Sequence, residues 1–121
     1  MSKKILIVDD SGTVRQQVRL ALTQGGFEVV EAGDGIEATE KLGQNADVAA
    51  MVCDVNMPRM NGIELLEKLA KDGRSLPTVM LTTEGQPDLI QRAKAAGAKG
   101  WIVKPFKADL LVAAIRKLSA A

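Results

Sequence analysis

The chain has 121 residues, with 16 Lys and Arg against 15 Asp and Glu for a net charge of +1. A chain of this length makes one domain that buries about two-thirds of its unfolded surface around a single core, which excludes a large multidomain enzyme. The balanced charge excludes nucleic-acid binding by bulk electrostatics and a disordered acidic tail. Without histidine, the chain builds no Ser-His-Asp triad, no Cys-His pair and no His-containing zinc site, and carries no phosphate on imidazole. The one cysteine, Cys53, forms no intrachain disulfide, and Met1-Ser2-Lys3-Lys4 leads into only four apolar residues, too few for a signal peptide. The expectation is a soluble protein of the reducing cytoplasm.

In chain order, Ile5-Leu6-Ile7-Val8 is a continuous apolar run that ends in acid, the pattern of a strand buried on both faces. Val14, Val18, Ala21 and Leu22 follow at helical spacing, and Gly25-Gly26 marks the stop. Phe27 to Val30 reads as a second strand. Asp34 with Glu37 three residues on has the form of a capping box opening a helix over Ile36 to Leu42, with Gly43 as its stop. Val48 to Cys53 is a third strand ending at Asp54, and Ile63, Leu66, Leu69 and Ala70 mark a third helix that closes at Gly73. Thr78 to Thr82 and Trp101 to Val103 are strands separated by a helix that stops near Gly97. Leu110, Leu111, Ala114, Ile115 and Leu118 make the last helix. Five strands alternating with helices, joined by connections short enough to require right-handed crossovers, specify a doubly wound α/β domain: a five-stranded parallel sheet with helices on both faces. Residues 1 to 121 are expected to be this one domain, with no output domain attached.

In such sheets ligands bind outside the carboxyl ends of the strands. Strand one ends in Asp9-Asp10, strand three in Asp54-Val55-Asn56, strand four in Thr82-Thr83-Glu84 and strand five in Lys104-Pro105. Three carboxylates meeting in one crevice repel, so their pKa values rise or a cation neutralises them. An all-oxygen site suits a hard divalent ion, and magnesium needs only a few protein oxygens. A lysine ammonium and a threonine hydroxyl at the same edge complete a set that holds a phosphoryl group. With no histidine and no activated serine, a carboxylate is the natural nucleophile, giving an acyl phosphate; spacing leaves open which Asp attacks. Taken singly, Asp9-Asp10 reads as a helix cap, Asp54 as a turn carboxylate, Lys104 as a solvated lysine and Thr82 as a β-former. Together, at four strand ends, they carry one chemistry. Cys53 points away from Asp54 by the strand pleat and reads as a core residue without a redox role, and Met57 and Met60 read as loop gap-fillers.

The stretches Ile5-Leu-Ile-Val-Asp-Asp10, Cys53-Asp-Val-Asn-Met-Pro-Arg-Met-Asn-Gly62, Leu81-Thr-Thr-Glu84 and Gly100-Trp-Ile-Val-Lys-Pro-Phe106 carry a resemblance over essentially the whole chain. The sequence resembles the receiver domains of two-component response regulators, and most closely the single-domain chemotaxis type. The resemblance implies a flavodoxin-like strand order 2-1-3-4-5 and a phosphoryl group accepted on Asp54 from a CheA-like histidine kinase. It implies Mg2+ held by Asp10, Asp54 and the backbone carbonyl of Asn56, with Asp9 acting mainly through a bound water. Lys104 would pair with the phosphoryl oxygens, its bond to Pro105 would be cis, and Thr82 would donate its hydroxyl and reorient. The space Thr82 vacates is filled in such proteins by an aromatic on strand five, which aligns as Trp101. Tyrosine or phenylalanine is commoner there, so the larger indole works against a fully buried rotamer, and Thr83 stands where alanine is frequent. Asn56 and Glu84 occupy the two positions that govern water access to the acyl phosphate, implying a short-lived signal.

The resemblance also implies a monomeric switch with self-catalysed phosphotransfer and autodephosphorylation, not an enzyme acting on an outside substrate. Its partners would be the kinase, a flagellar motor switch protein or another downstream protein, and a phosphatase, with no nucleic acid or membrane. A phosphate sink or shuttle in a relay is the near alternative. An aspartyl phosphatase fits poorly, because Asp54 is followed by Val55 and Asn56 and lacks the second acid of that chemistry. A flavin carrier fits worse, since Asp9-Asp10 would repel the flavin phosphate. One reading needs no family. Residues 1 to 90 hold nine basic and fourteen acidic side chains (−5), and residues 91 to 121 hold seven basic and one acidic (+6). Arg92, Lys94, Lys99, Lys107, Arg116 and Lys117 therefore make the region of the fourth helix, fifth strand and fifth helix positive and suited to an acidic partner.

Overall fold

Residues 3–57, 60–83 and 86–119 are described by a computed structural model. Alternating apolar runs and amphipathic stretches fold into β1 (Lys4–Val8), α1 (Gly12–Gln24), β2 (Glu28–Ala32), α2 (Gly35–Gln44), β3 (Val48–Cys53), α3 (Gly62–Lys71), β4 (Thr78–Thr82), α4 (Pro87–Ala95), β5 (Ala98–Val103) and α5 (Ala108–Ser119). The strands form one sheet in the order β2-β1-β3-β4-β5, every neighbouring pair parallel. β1, β3 and β4 are the strands that read as continuous apolar runs, and they occupy the centre, where both faces are covered.

Successive side chains on a strand point to opposite faces, and the sheet accordingly divides the interior in two. Ile5, Ile7, Val52, Val79 and Leu81 pack with Val18 and Leu22 of α1 and Leu111 and Ile115 of α5. Leu6, Val8, Met51, Cys53 and Met80 pack with Ala38 and Leu42 of α2, Ile63 and Leu66 of α3 and Ala93 of α4. No helix among the described residues is long and apolar enough to cross a membrane.

Several boundaries differ from the sequence reading. β2 runs to Ala32, two residues past Val30. It is an edge strand, so half-exposed Glu31 is tolerated within it. β5 starts at Ala98 and passes through Gly100, which lies against Val79. Gly43 lies inside α2 and does not end it, whereas Gly73 and Gly97 take positive φ (78° and 111°) just beyond α3 and α4, as helix stops do. Asp34 does cap α2, accepting from the Glu37 N–H at 2.9 Å, but the Glu37 carboxylate accepts from Gly33 N–H and not from Asp34. The reciprocal capping box is at α3, between Asn61 and Glu64. α1 is capped by Ser11, not by Asp9-Asp10: its side chain accepts from the Val14 N–H.

Candidate functional site

The sheet delivers its polar residues to the carboxyl edge. The Asp9 N–H donates to Ala32 O at 3.1 Å, and the Asp54 N–H donates to Val8 O at 2.8 Å, so each carboxylate leaves a strand whose backbone is still hydrogen-bonded. Asp9 is 2 % exposed and Asp54 6 %. One Asp9 oxygen accepts from the Ser11 N–H at 2.9 Å and the other from Lys104 Nζ at 2.8 Å. Lys104 Nζ also stands 3.6 Å from an Asp54 oxygen. Asp10 is exposed, and oxygens from Asp9, Asp10 and Asp54 all lie within 4.8 Å of one another. Lys104 is anchored beside this point by its backbone N–H, which donates to Thr82 O at 2.8 Å, and the Lys104–Pro105 bond is cis, as the resemblance implied. Thr82, the last residue of β4, is fully buried.

Burial pushes the Asp54 carboxyl up to about 6; the Asp9 charge adds to the rise, and Lys104 opposes it. The site therefore holds more negative charge than one lysine offsets. Its donor set is all oxygen. The chain has no imidazole, and the Cys53 thiol is buried and pushed far up by burial and then by the charges of Asp54 and Asp9. A hard divalent cation fits such a set, with Asp9, Asp10 and Asp54 as its protein carboxylates. Cys53 lies in the core beside α3, its Sγ donating to Asp54 O at 3.3 Å. The N-terminus of α3 presses on the same carbonyl. A Cβ on Gly62 would stand 2.0 Å from Asp54 O and 2.9 Å from Cys53 Sγ, and the Gly62 N–H donates to Val55 O at 2.9 Å.

Trp101 is half-buried, in register with Met80 of β4, and packs against the core on the α2–α3–α4 side of the sheet. Met57 and Met60 pack on that same core, as gap-fillers would. Asn56 is exposed in the loop after β3, and Glu84 lies outside the described residues. Thr83 is exposed and walls a groove of about 580 Å³ between α1 and the β5–α5 loop, with Val14, Leu20, Phe106 and Lys104 around it. Within the positive region, Arg92 is paired with an acid and Arg116, among the described residues, is not. Arg92 donates to Glu67 through two nitrogens at 3.0 and 2.8 Å, Arg116 donates to Gly25 O and lies over the Phe27 ring, and Lys94, Lys99, Lys107 and Lys117 are exposed. Sequence reasoning missed Arg15, whose guanidinium donates to the Asp9 carbonyl and to Glu31. No spacing signal marks it, because its partners lie on a neighbouring strand and in the loop before its own helix.

A family model described as the response regulator receiver domain matches residues 5–116. The chain belongs to that family. It is 44% identical over 111 residues to the chemotaxis protein CheY1 of Helicobacter pylori, covering 89% of this chain and 90% of that one. Among solved structures it is similar to the chemotaxis protein CheY4 of Vibrio cholerae, with a TM-score of 0.89 and 40% identity over 98% of this chain and 99% of that one. It is also similar to the structure titled as a CheX-CheY-BeF3-Mg+2 complex from Borrelia burgdorferi, at TM-score 0.90 and 28% identity over 96% and 88% of the two chains. The sheet adopts the order 2-1-3-4-5 that the sequence resemblance implied.

Proposed function

We propose that this receiver domain is a phosphoryl-accepting switch of chemotaxis signalling, written by a histidine kinase on Asp54. The observation that carries the reading is the Asp54 carboxylate, buried at the end of β3 and flanked by Asp9, Asp10 and Lys104. An Asp54 oxygen attacks phosphorus, the bond from phosphorus to the donor's imidazole nitrogen breaks, and an acyl phosphate remains. Magnesium bound at Asp10, Asp54 and the Asn56 carbonyl, with Asp9 behind a water, would neutralise phosphoryl charge. Lys104, already placed between Asp9 and Asp54, supplies a fixed positive charge to the transferred oxygens, and Thr82 offers its hydroxyl at the adjacent strand end. Asn56 and Glu84 set how water reaches the product.

A dianionic group on Asp54 changes the charge beside the end of β4. Trp101, in register with that strand, is the residue we assign to carry the change outward. The exposed lysines of α4, β5 and α5 then offer a face for an acidic partner, with a flagellar motor switch protein as the favoured target. The similarity to chemotaxis CheY proteins, and the beryllium fluoride and magnesium of the Borrelia complex, support a chemotaxis receiver that takes a phosphoryl group with magnesium. The test is intact-protein mass after incubation with a small phosphodonor and magnesium. One phosphoryl group on the wild type, absent from Asp54→Asn and absent without the metal, is expected. No addition to a folded wild type that binds magnesium would overturn it.

A further inference from the structure

Of the three carboxylates at the site, one is held by hydrogen bonds and a second faces an ion-pair partner at 3.6 Å. Asp9 is gripped through both oxygens, and Asp54 faces Lys104 from a paired strand end. Asp10 is different: it is exposed, and no hydrogen bond or ion pair holds its side chain among the described residues. Its place beside the other two therefore depends on its backbone, and so on the peptide plane joining Asp9 to Asp10. That plane's carbonyl, Asp9 O, accepts from Arg15 Nη1. Arg15 is in turn fixed by Glu31 of β2, whose carboxylate accepts from its Nε at 3.3 Å and also meets Arg19 at 3.6 Å. The guanidinium lies between two glycines, where Cβ atoms built on Gly12 and Gly33 would each stand 3.7 Å from one of its nitrogens, an ordinary contact distance.

We propose that Arg15 is a positioning residue for cation binding, holding the Asp9-Asp10 peptide so that the Asp10 carboxylate is presented to the metal. This rests on the magnesium site of the proposed function. The guanidinium suits the task because its planar fork donates to a carbonyl and a carboxylate at once, which an ammonium on a flexible stem does not reproduce. Groups that orient a metal ligand without touching the metal are worth about tenfold or more in affinity.

Charge alone predicts the opposite sign. Arg15 carries a positive charge close to a cation site, so on Coulomb's law its removal should tighten cation binding. The two effects separate cleanly. Calorimetric titration of Mg2+ into wild type, Arg15→Gln and Arg15→Lys is expected to show binding about tenfold weaker in Arg15→Gln, and weaker by a smaller factor in Arg15→Lys, which keeps the charge but not the fork. Repeated at about 0.5 M KCl, where exposed charges are largely screened, the loss is expected to persist. Wild-type or tighter affinity in Arg15→Gln, or a loss that disappears in salt, would overturn the proposal while leaving the magnesium site intact. Failure of the folded wild type itself to bind Mg2+ would overturn the site reading beneath it. Arg15 is part-exposed and outside both cores, so the variants are expected to fold, with circular dichroism as the check.

Discussion

Replacing Asp54 by Asn should make the folded protein more stable, by an amount that depends on pH. The Asp54 carboxyl sits at about 6 against an ordinary 3.8, through burial first and the Asp9 charge second. A raised carboxyl pKa means the folded state holds its proton longer than the unfolded chain does. Stability is therefore unpenalised below about pH 3.8 and is lost as the pH rises through 6, where the ionised group must stay in the site. At 1.36 kcal/mol per tenfold change the penalty is about 3 kcal/mol, and solvent at the mouth of the site reduces it to about 2. Asn has nearly the same shape and no charge to desolvate. Urea denaturation of both proteins from pH 3.5 to 8 should give curves that coincide at the acid end, then diverge through pH 4 to 6, with the variant about 2 kcal/mol more stable above pH 7. Added Mg2+ should narrow the gap by stabilising only the wild type. A variant less stable at pH 7.5, or a difference independent of pH, would refute the claim that desolvation and Asp9 dominate over the attraction of Lys104.

Gly62→Ala should cost about 3 kcal/mol or more, because the new Cβ meets the Asp54 carbonyl, backbone that cannot swing aside; thermal melting checks this, and a cost under 1 kcal/mol would show that α3 can retreat from the strand end. Asn61→Ala removes the side chain that accepts from Glu64 N–H and should cost about 1 kcal/mol, read by urea midpoint. Trp101 fluorescence should shift when beryllium fluoride and Mg2+ are added together but not with either alone, and an unchanged spectrum in a protein that binds both would remove Trp101 from the switch.

Sheet content was legible where burial alone decides structure. β3 and β4, covered on both faces, have the bounds their apolar runs imply, whereas the edge strands β2 and β5 were read short. At an edge a strand can carry Glu31 or pass through Gly100 without losing its ladder, and composition then ceases to mark its end. The acidic and basic site residues were legible because they terminate strands, and parallel strands share one carboxyl edge. Their pairing was not: Lys104 reaches Asp9 from 95 positions away, and only the strand order fixes that distance. The box at Asn61 and Glu64 was written in the sequence as plainly as the one at Asp34 and Glu37, which the geometry completes differently because the Glu37 carboxylate finds Gly33 N–H first. In the basic patch, counting charges does not reveal that Arg92 is paired with Glu67, whereas Arg116, which donates to a neutral carbonyl, keeps its charge.

The division of the interior by the sheet bears on what any optical experiment can see. The chain has one tryptophan and no tyrosine, and among the described residues that indole packs against the core on the α2–α3–α4 side. Intrinsic fluorescence is thus a one-sided observer, blind to a loosening confined to α1 and α5 on the other face. Backbone circular dichroism weighs helices on both faces. Coincident unfolding curves from the two probes would therefore show that the halves melt as one cooperative unit, and a dichroism change that precedes the fluorescence change would place the weaker half with α1 and α5.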